Sequence, residues 1–231
     1  MKEGTYKMVQ IAIDGPSGAG KSTLAKMIAA KLGFVYVDTG ALYRAIGLFC
    51  ERSGFDKGDS ERIISSLPDI KVGIAYKDGS QHIYLCDEDV TDLIRTPSVS
   101  EWASAVSSIG EVRKFLLDLQ RDIANKNNVI MDGRDIGTVI LPDADVKIFL
   151  ISSPLARAKR RHREYIQKGM DITLEETLKM MEERDTRDST RSVAPLMAAK
   201  DAVELDNSDM TVDEAFNAAM TIINKKTGIT V

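Results

Sequence analysis

The chain has 231 residues, 43% of them apolar and 29% charged, with a net charge of −4. That suits one large α/β domain, or one core domain carrying a smaller insertion, with a buried core. The acidic balance offers no broad basic face, so neither nucleic acid nor an anionic membrane is expected as a partner, and any cationic phosphate site must be local.

The first ten residues are polar and lack the apolar stretch of a signal peptide, and no run approaches the roughly 20 apolar residues of a membrane span. Cys50 and Cys86 form neither a Cys-x-x-Cys pair nor a zinc pattern. Two reduced thiols in a cytoplasmic protein are the reading.

In chain order, residues 9–13 form an apolar strand, 22–32 a helix, 34–37 a second strand and 41–52 a second helix. From 70 to 92 the rhythm changes. Val72, Ile74 and Tyr76 alternate, Lys77-Asp78-Gly79-Ser80 turns, and Ile83 and Leu85 alternate again. Asp-Gly between alternating segments signals an antiparallel hairpin, and so a small insertion in a parallel fold. Residues 98–125 follow as helix, broken near Ile109-Gly110. Residues 129–131 and 146–151 are strands, 154–168 and 174–191 arginine-rich helices, the second closed by Pro195, and 203–205 a fifth strand. Near-continuous apolar strands between helices predict a five-stranded parallel sheet covered on both faces. One domain over 1–231 is expected, with a core of 9–66 and 126–226 and an insertion at about 67–110. Trp102 and Tyr76 read as packing residues, and His82 and His162, without metal spacing, as surface residues.

The strongest motif is Gly15-Pro16-Ser17-Gly18-Ala19-Gly20-Lys21-Ser22, a full G-x-x-x-x-G-K-[ST] between a strand and a helix. Glycines let successive backbone N–H groups curl toward one phosphate, and the helix that follows presents its N-terminus to the anion. Residues 15–22 with Thr23 are the expected ATP-binding loop, Lys21 reaching the β- and γ-phosphates and the Ser22 hydroxyl available to Mg²⁺ bound with ATP. Val129-Ile130-Met131-Asp132 is an apolar strand ending in an acid, the arrangement that places a carboxylate near the metal. Gly133-Arg134-Asp135 follows, at the strand ends where open α/β sheets bind ligands. A guanine reader is missing, since Asn125-Lys126-Asn127-Asn128 lacks its Asp. A small-molecule kinase is favoured.

Three further stretches carry a resemblance: Asp38-Thr39-Gly40-Ala41-Leu42-Tyr43-Arg44, Asp132-Gly133-Arg134-Asp135-Ile136-Gly137-Thr138, and Glu183-Arg184-Asp185-Thr186-Arg187-Asp188 with Arg191. With the phosphate loop, they make the sequence similar to the bacterial cytidylate kinases, of the nucleoside monophosphate kinase group, from about residue 9 to 216. The resemblance implies a P-loop NTPase fold, with 67–110 as an enlarged monophosphate-binding subdomain and about 160–175 as a mobile lid. It implies ATP as donor and CMP or dCMP as acceptor, with direct in-line transfer. Arg44 and Arg134 are then the holders of the acceptor phosphate. Ser104, Arg113 and Asp135 match positions that read cytosine, and Arg184, Asp188 and Arg191 match positions near the acceptor ribose and phosphates. Thr39 and Tyr43 join the substrate set, and Lys21, Asp132, Arg134 and Arg184 form the catalytic set. Thr39 stands where other members often have Ser, and Ser22 where some have Gly, so metal ligation by Ser22 is not demanded by the resemblance.

Elementary chemistry agrees. Two phosphate clusters must approach each other, and arginine forks bind phosphate bidentately. On helices, Arg157, Arg160 and Arg161 share one face, as do Arg184, Asp188 and Arg191. The first three are expected along the lid. Two alternatives stay open: another P-loop kinase acting on UMP, AMP or shikimate, and a nucleotide-binding regulatory module. A monomer is expected.

Overall fold

The structure, a computed structural model, describes residues 7–77 and 79–230. Residues 1–6 of the polar N-terminal stretch and Asp78 of the expected hairpin turn lie outside the described residues.

The chain divides into two compact units, residues 1–36 with 124–231, and residues 37–123. The first is an α/β layer structure. Its strands are β1 (Gln10–Asp14), β2 (Val35–Asp38), which leads into the second unit, β6 (Val129–Gly133), β7 (Val146–Ile151) and β8 (Val203–Asp206). They form one parallel sheet in the order β2-β6-β1-β7-β8. β1 is central, which is why Ile11, Ala12 and Ile13 are all fully buried. Full burial of an isoleucine contributes about 2 kcal/mol, so the strand that carries the phosphate loop is among the most firmly held.

Helix α1 (Lys21–Leu32) covers the sheet with Leu24, Ala25 and Ile28, and α8 (Val212–Thr227) with Ala215, Ala219 and Ile223, the i, i+4, i+8 stripe of a packed helix. α8 was absent from the sequence reading. Its start carries a recognisable signal, since Thr211 and Glu214 form a reciprocal capping box. Helices α6 (Pro154–Gln167) and α7 (Leu174–Thr190) complete this unit, α7 also opening on a capping box, from Thr173 to Glu176.

The second unit contains α2 (Thr39–Arg52), α3 (Ser60–Ser66), α4 (Pro97–Val106) and the larger part of α5 (Gly110–Lys126), with a small antiparallel sheet of β3 (Val72–Lys77), β4 (Ser80–Leu85) and β5 (Glu88–Asp89). The β3–β4 register pairs Val72 with Leu85 and Lys77 with Ser80, as a hairpin requires. The unit extends beyond 67–110 because α2 packs on α4. A Cβ at Gly47 would stand 2.8 Å from the Trp102 Cβ and 3.1 Å from the Ala103 amide nitrogen, so glycine permits this close crossing. Trp102 is buried as expected, whereas Tyr76 stands 41% exposed. The inward positions Val72 and Ile74 reach the apolar cluster, and Tyr76 sits toward the turn beyond it. His82 pairs with Asp89 at 2.8 Å, and His162 is half-buried, its Nε2 donating to the Ile172 carbonyl at 3.0 Å. Among the described residues no helix is long and apolar enough to cross a membrane.

Candidate active site

The phosphate loop leaves the end of β1 through Gly15, whose φ is 147°. A Cβ there would lie 2.3 Å from the Leu150 carbonyl oxygen on β7. Backbone meets backbone at that point, so only glycine fits. Two carbonyls of the loop are pinned. Arg157 Nη1 donates to Ser17 O at 3.1 Å, and the Asn207 side-chain amide donates to Ala19 O at 2.8 Å. A planar trans peptide points its N–H opposite its C=O. Fixing those carbonyls therefore aims the amides of Gly18 and Gly20 away from the two anchors, preorganised for an anion.

Lys21 is buried, and its Nζ donates to the Pro16 carbonyl at 2.7 Å. Burial pushes its pKa well below the ordinary lysine value, with the nearby Arg134 and Arg184 adding to the shift and Asp132 and Asp14 opposing it. Three cations thus feel one another, a concentration of positive charge that a polyphosphate would neutralise. Asp132, at the end of β6, is held by both oxygens: Ser22 Oγ donates to Oδ2 and the Tyr36 hydroxyl to Oδ1, each at 2.8 Å. Hydroxyl and carboxylate oxygens are the hard donors that Mg²⁺ takes alongside phosphate and water. The donor set therefore fits a metal bound with ATP, although the described residues contain no cluster of three or more metal-ligating side chains.

A second cluster in this unit surrounds Asp188. Arg134 Nε donates to its Oδ2 at 2.9 Å. Burial alone would raise the Asp188 pKa, but Arg134, Arg184 and Arg191 outweigh it and hold the carboxyl below the usual range. Arg191 also lies 3.9 Å from the buried Asp135 and donates through Nε to the Ala194 carbonyl at 2.6 Å. Lys21, Asp132, Arg134, Asp135, Arg184, Asp188 and Arg191 therefore gather within one unit.

The three arginines expected along the lid differ from one another. Arg157 is 3% exposed and its guanidinium is used internally, by Ser17 O, by Ser152 O at 2.9 Å and by Asp185 at 2.6 Å. Arg160 donates to the Asn207 carbonyl at 2.9 Å and to Ser152 Oγ at 3.1 Å. Arg161 pairs at the surface with Glu164 at 2.7 Å. One helix face places them in a row, but their partners come from three different depths.

The other unit carries Thr39, Tyr43, Arg44, Ser104 and Arg113. Asp38 caps α2, accepting the Ala41 amide at 3.0 Å, and its Oδ2 takes both Arg44 at 2.8 Å and Arg95 at 2.9 Å. Burial raises the Asp38 pKa, yet Arg44 and then Arg95 bring it below the ordinary value. Arg113 lies over the Tyr43 ring, 5.4 Å from its centroid, and donates to the Ser107 carbonyl at 3.1 Å. Such a stack orients a planar guanidinium. Ser104 is half-buried on α4.

Sequence reasoning missed Tyr36, Asp38, Arg95 and Asn207. Asp38 had a signal, an acid just before a helix. Tyr36, Arg95 and Asn207 had none, because their roles depend on partners remote in sequence.

A lysine-bearing phosphate loop between strand and helix, with an acid closing the neighbouring parallel strand, defines a P-loop nucleotide-binding protein. A family model described as Cytidylate kinase matches residues 11–225. The cytidylate kinase of Lactobacillus johnsonii is 45% identical over 225 residues, covering 97% of this chain and 98% of the relative. That of Caldicellulosiruptor saccharolyticus is 46% identical over 222 residues, covering 96% and 98%. A solved structure of an uncharacterized protein from Eubacterium ventriosum is similar in fold, with a TM-score of 0.51 at 16% identity over 95% of this chain and 99% of that one. The chain belongs to the cytidylate kinase family. It is a kinase that phosphorylates nucleoside monophosphates.

Proposed function

We propose that the enzyme transfers the γ-phosphoryl group of ATP to CMP, and to dCMP, by direct in-line displacement. The observation that carries this reading is the convergence of Lys21, Arg134 and Arg184 beside the phosphate loop, with Asp188 holding Arg134 in place. One polyphosphate needs the loop and its lysine, and a second phosphate needs its own cations. An acceptor phosphate is already close to dianionic near neutral pH, so it attacks without a general base. Its oxygen forms the new bond to γ-phosphorus as the β–γ bridging bond breaks and ADP departs. The protein's contribution is alignment and charge stabilisation.

Lys21 follows the charge on the β- and γ-phosphates, Arg44 and Arg134 hold the acceptor phosphate, and Arg184, Asp188 and Arg191 orient acceptor ribose and phosphate. Ser22 and Asp132 would hold Mg²⁺, which when bound neutralises phosphate charge. Residues of about 160–175 act as a lid that excludes water, since open access would let ATP be hydrolysed.

Cytosine presents an amino group that needs an acceptor, and a ring nitrogen and carbonyl that need donors. Asp135 supplies the acceptor, Arg113 the donors, and Ser104 either. Uracil would set acceptor against carboxylate and donor against guanidinium, a buried mismatch of a few kcal/mol. A coupled assay with CMP, dCMP, UMP and AMP tests the acceptor, and Asp135→Ala tests the base reading. CMP activity should fall far more than UMP activity in that variant. Equal losses on the two, or a wild-type enzyme that prefers AMP or UMP, would overturn the assignment.

A further inference from the structure

Asp14, the last residue of β1, is a buried acid that the reaction described above does not use. It is 5% exposed, and both of its oxygens accept backbone amides: Oδ1 that of Ile136 at 2.8 Å, and Oδ2 that of Gly137 at 2.7 Å. The register of the sheet pairs Asp14 itself with Gly133. Its main chain thus stands opposite the residue before Arg134, and its side chain captures the two residues after Asp135. Arg134 and Asp135 are bracketed at both ends by one residue. Beyond the bracket the chain makes a wide turn, with Ile140 N donating to Asp135 O at 3.2 Å and Leu141 N to Ile136 O at 2.7 Å, so the turn closes on itself once its first two amides are fixed.

From this geometry we propose that Asp14 is a positioning residue for the acceptor, its carboxylate holding the turn that aims Arg134 and Asp135. The inference rests on the acceptor roles given above to those two side chains. Packing alone is poorly served by a carboxylate here, because burying a charge without need is costly. Burial pushes the Asp14 carboxyl up to about 6, against the two amides that favour its charged form, with Asp135 nearby adding to the rise and Lys21 opposing it. Asparagine has nearly the same shape, yet it offers one acceptor and sets an N–H₂ against the other amide. Asp14 adjoins Gly15, but the phosphate loop keeps its own anchors in Arg157 and Asn207. Loss of the carboxylate should therefore loosen the acceptor side and spare the donor side.

The test is Asp14→Asn in the full chain, with Michaelis constants for CMP and ATP, the CMP-to-UMP efficiency ratio, thermal midpoint, and amide exchange over residues 132–141. KM for CMP should rise about tenfold, the factor given by one unsatisfied buried group, with KM for ATP within about twofold and exchange at 136–137 accelerated. Equal rises in both KM values, a lowered midpoint with both constants unchanged, or unaltered exchange would each overturn the proposal. If Asp14→Asn does not fold, Gly137→Ala decides by the same split, because its Cβ would press within 3.4 Å of Asp14 Oδ2 and 3.1 Å of the Lys147 side chain. The two readings separate on Asp135→Ala. An unchanged CMP-to-UMP ratio there refutes base reading by Asp135, while the KM split and amide exchange still judge Asp14.

Discussion

Replacing Asp188 by Asn tests whether the arginine cluster is held together by one carboxylate. The side chain of Asp188 is 8% exposed and that of Arg134 19%, so the pair is poorly screened. Breaking a buried pair from one side costs about 3–5 kcal/mol, because the partner charge is left uncompensated. Asparagine keeps a carbonyl for the Arg134 Nε, which puts the loss near the lower end, about 3 kcal/mol. For a chain of this size that lowers the unfolding midpoint by about 6–12 °C. Because the penalty is excess positive charge among Arg134, Arg184 and Arg191, an anion should relieve it. Inorganic phosphate at about ten times its dissociation constant would return about 1.4 kcal/mol, close to half the loss. Thermal unfolding of wild type and Asp188→Asn, with and without phosphate at constant ionic strength, reads both quantities. A shift under about 2 °C, or one that phosphate leaves untouched, would refute the electrostatic account.

Lys21→Ala should reduce turnover by about 10²–10³-fold in the coupled assay, the range for a group matched to transition-state charge, while the midpoint holds or rises because a strained buried ammonium is gone. Near-normal turnover would contradict the role of the phosphate loop. Gly15→Ala places a Cβ 2.3 Å from a β7 carbonyl at a φ of 147°, so a loss of about 3–5 kcal/mol is expected from overpacking and backbone strain together, and an unfolding midpoint within 2 °C of wild type would be inconsistent with it. The depressed carboxyls of Asp38 and Asp188 contribute stability above the unfolded aspartate pKa of about 4 and lose it as the pH falls through their folded values. The midpoint difference between wild type and Asp188→Asn should therefore be full at neutral pH and shrink below pH 4. A difference that grows on acidification would reverse the sign.

The parts of the site legible in the sequence are those whose chemistry is local. Residues 15–22 must curl around phosphate within eight positions, so glycine spacing and Lys21 reveal them. Asp132 was legible as the acid closing an apolar strand. Arg157 was visible as an arginine on a helix face, but its partner Ser17 lies 140 positions earlier, and the same pattern suits a ligand, a solvated face or an internal brace. Asn207 is remote in the same way, 188 positions from the Ala19 carbonyl that it holds. The hairpin was legible from alternation, whereas the span of its unit was not, since it depends on α2 meeting α4 at Gly47. The sheet order likewise follows from packing across the whole chain, which short-range periodicity does not encode.

The internal ties of Arg157 and Arg160 place a fulcrum. The first two turns of α6 are fastened to Ser17, Ser152 and Asn207, the same side chain and loop that orient the phosphate amides. Beyond Arg160 the side chains bond close by in the sequence, Arg161 to Glu164, His162 to Ile172, and Thr173 with Glu176 at the start of α7. The lid proposed for residues 160–175 would pivot past Arg160. The proposed lid would then move without disturbing the braces that hold the phosphate loop.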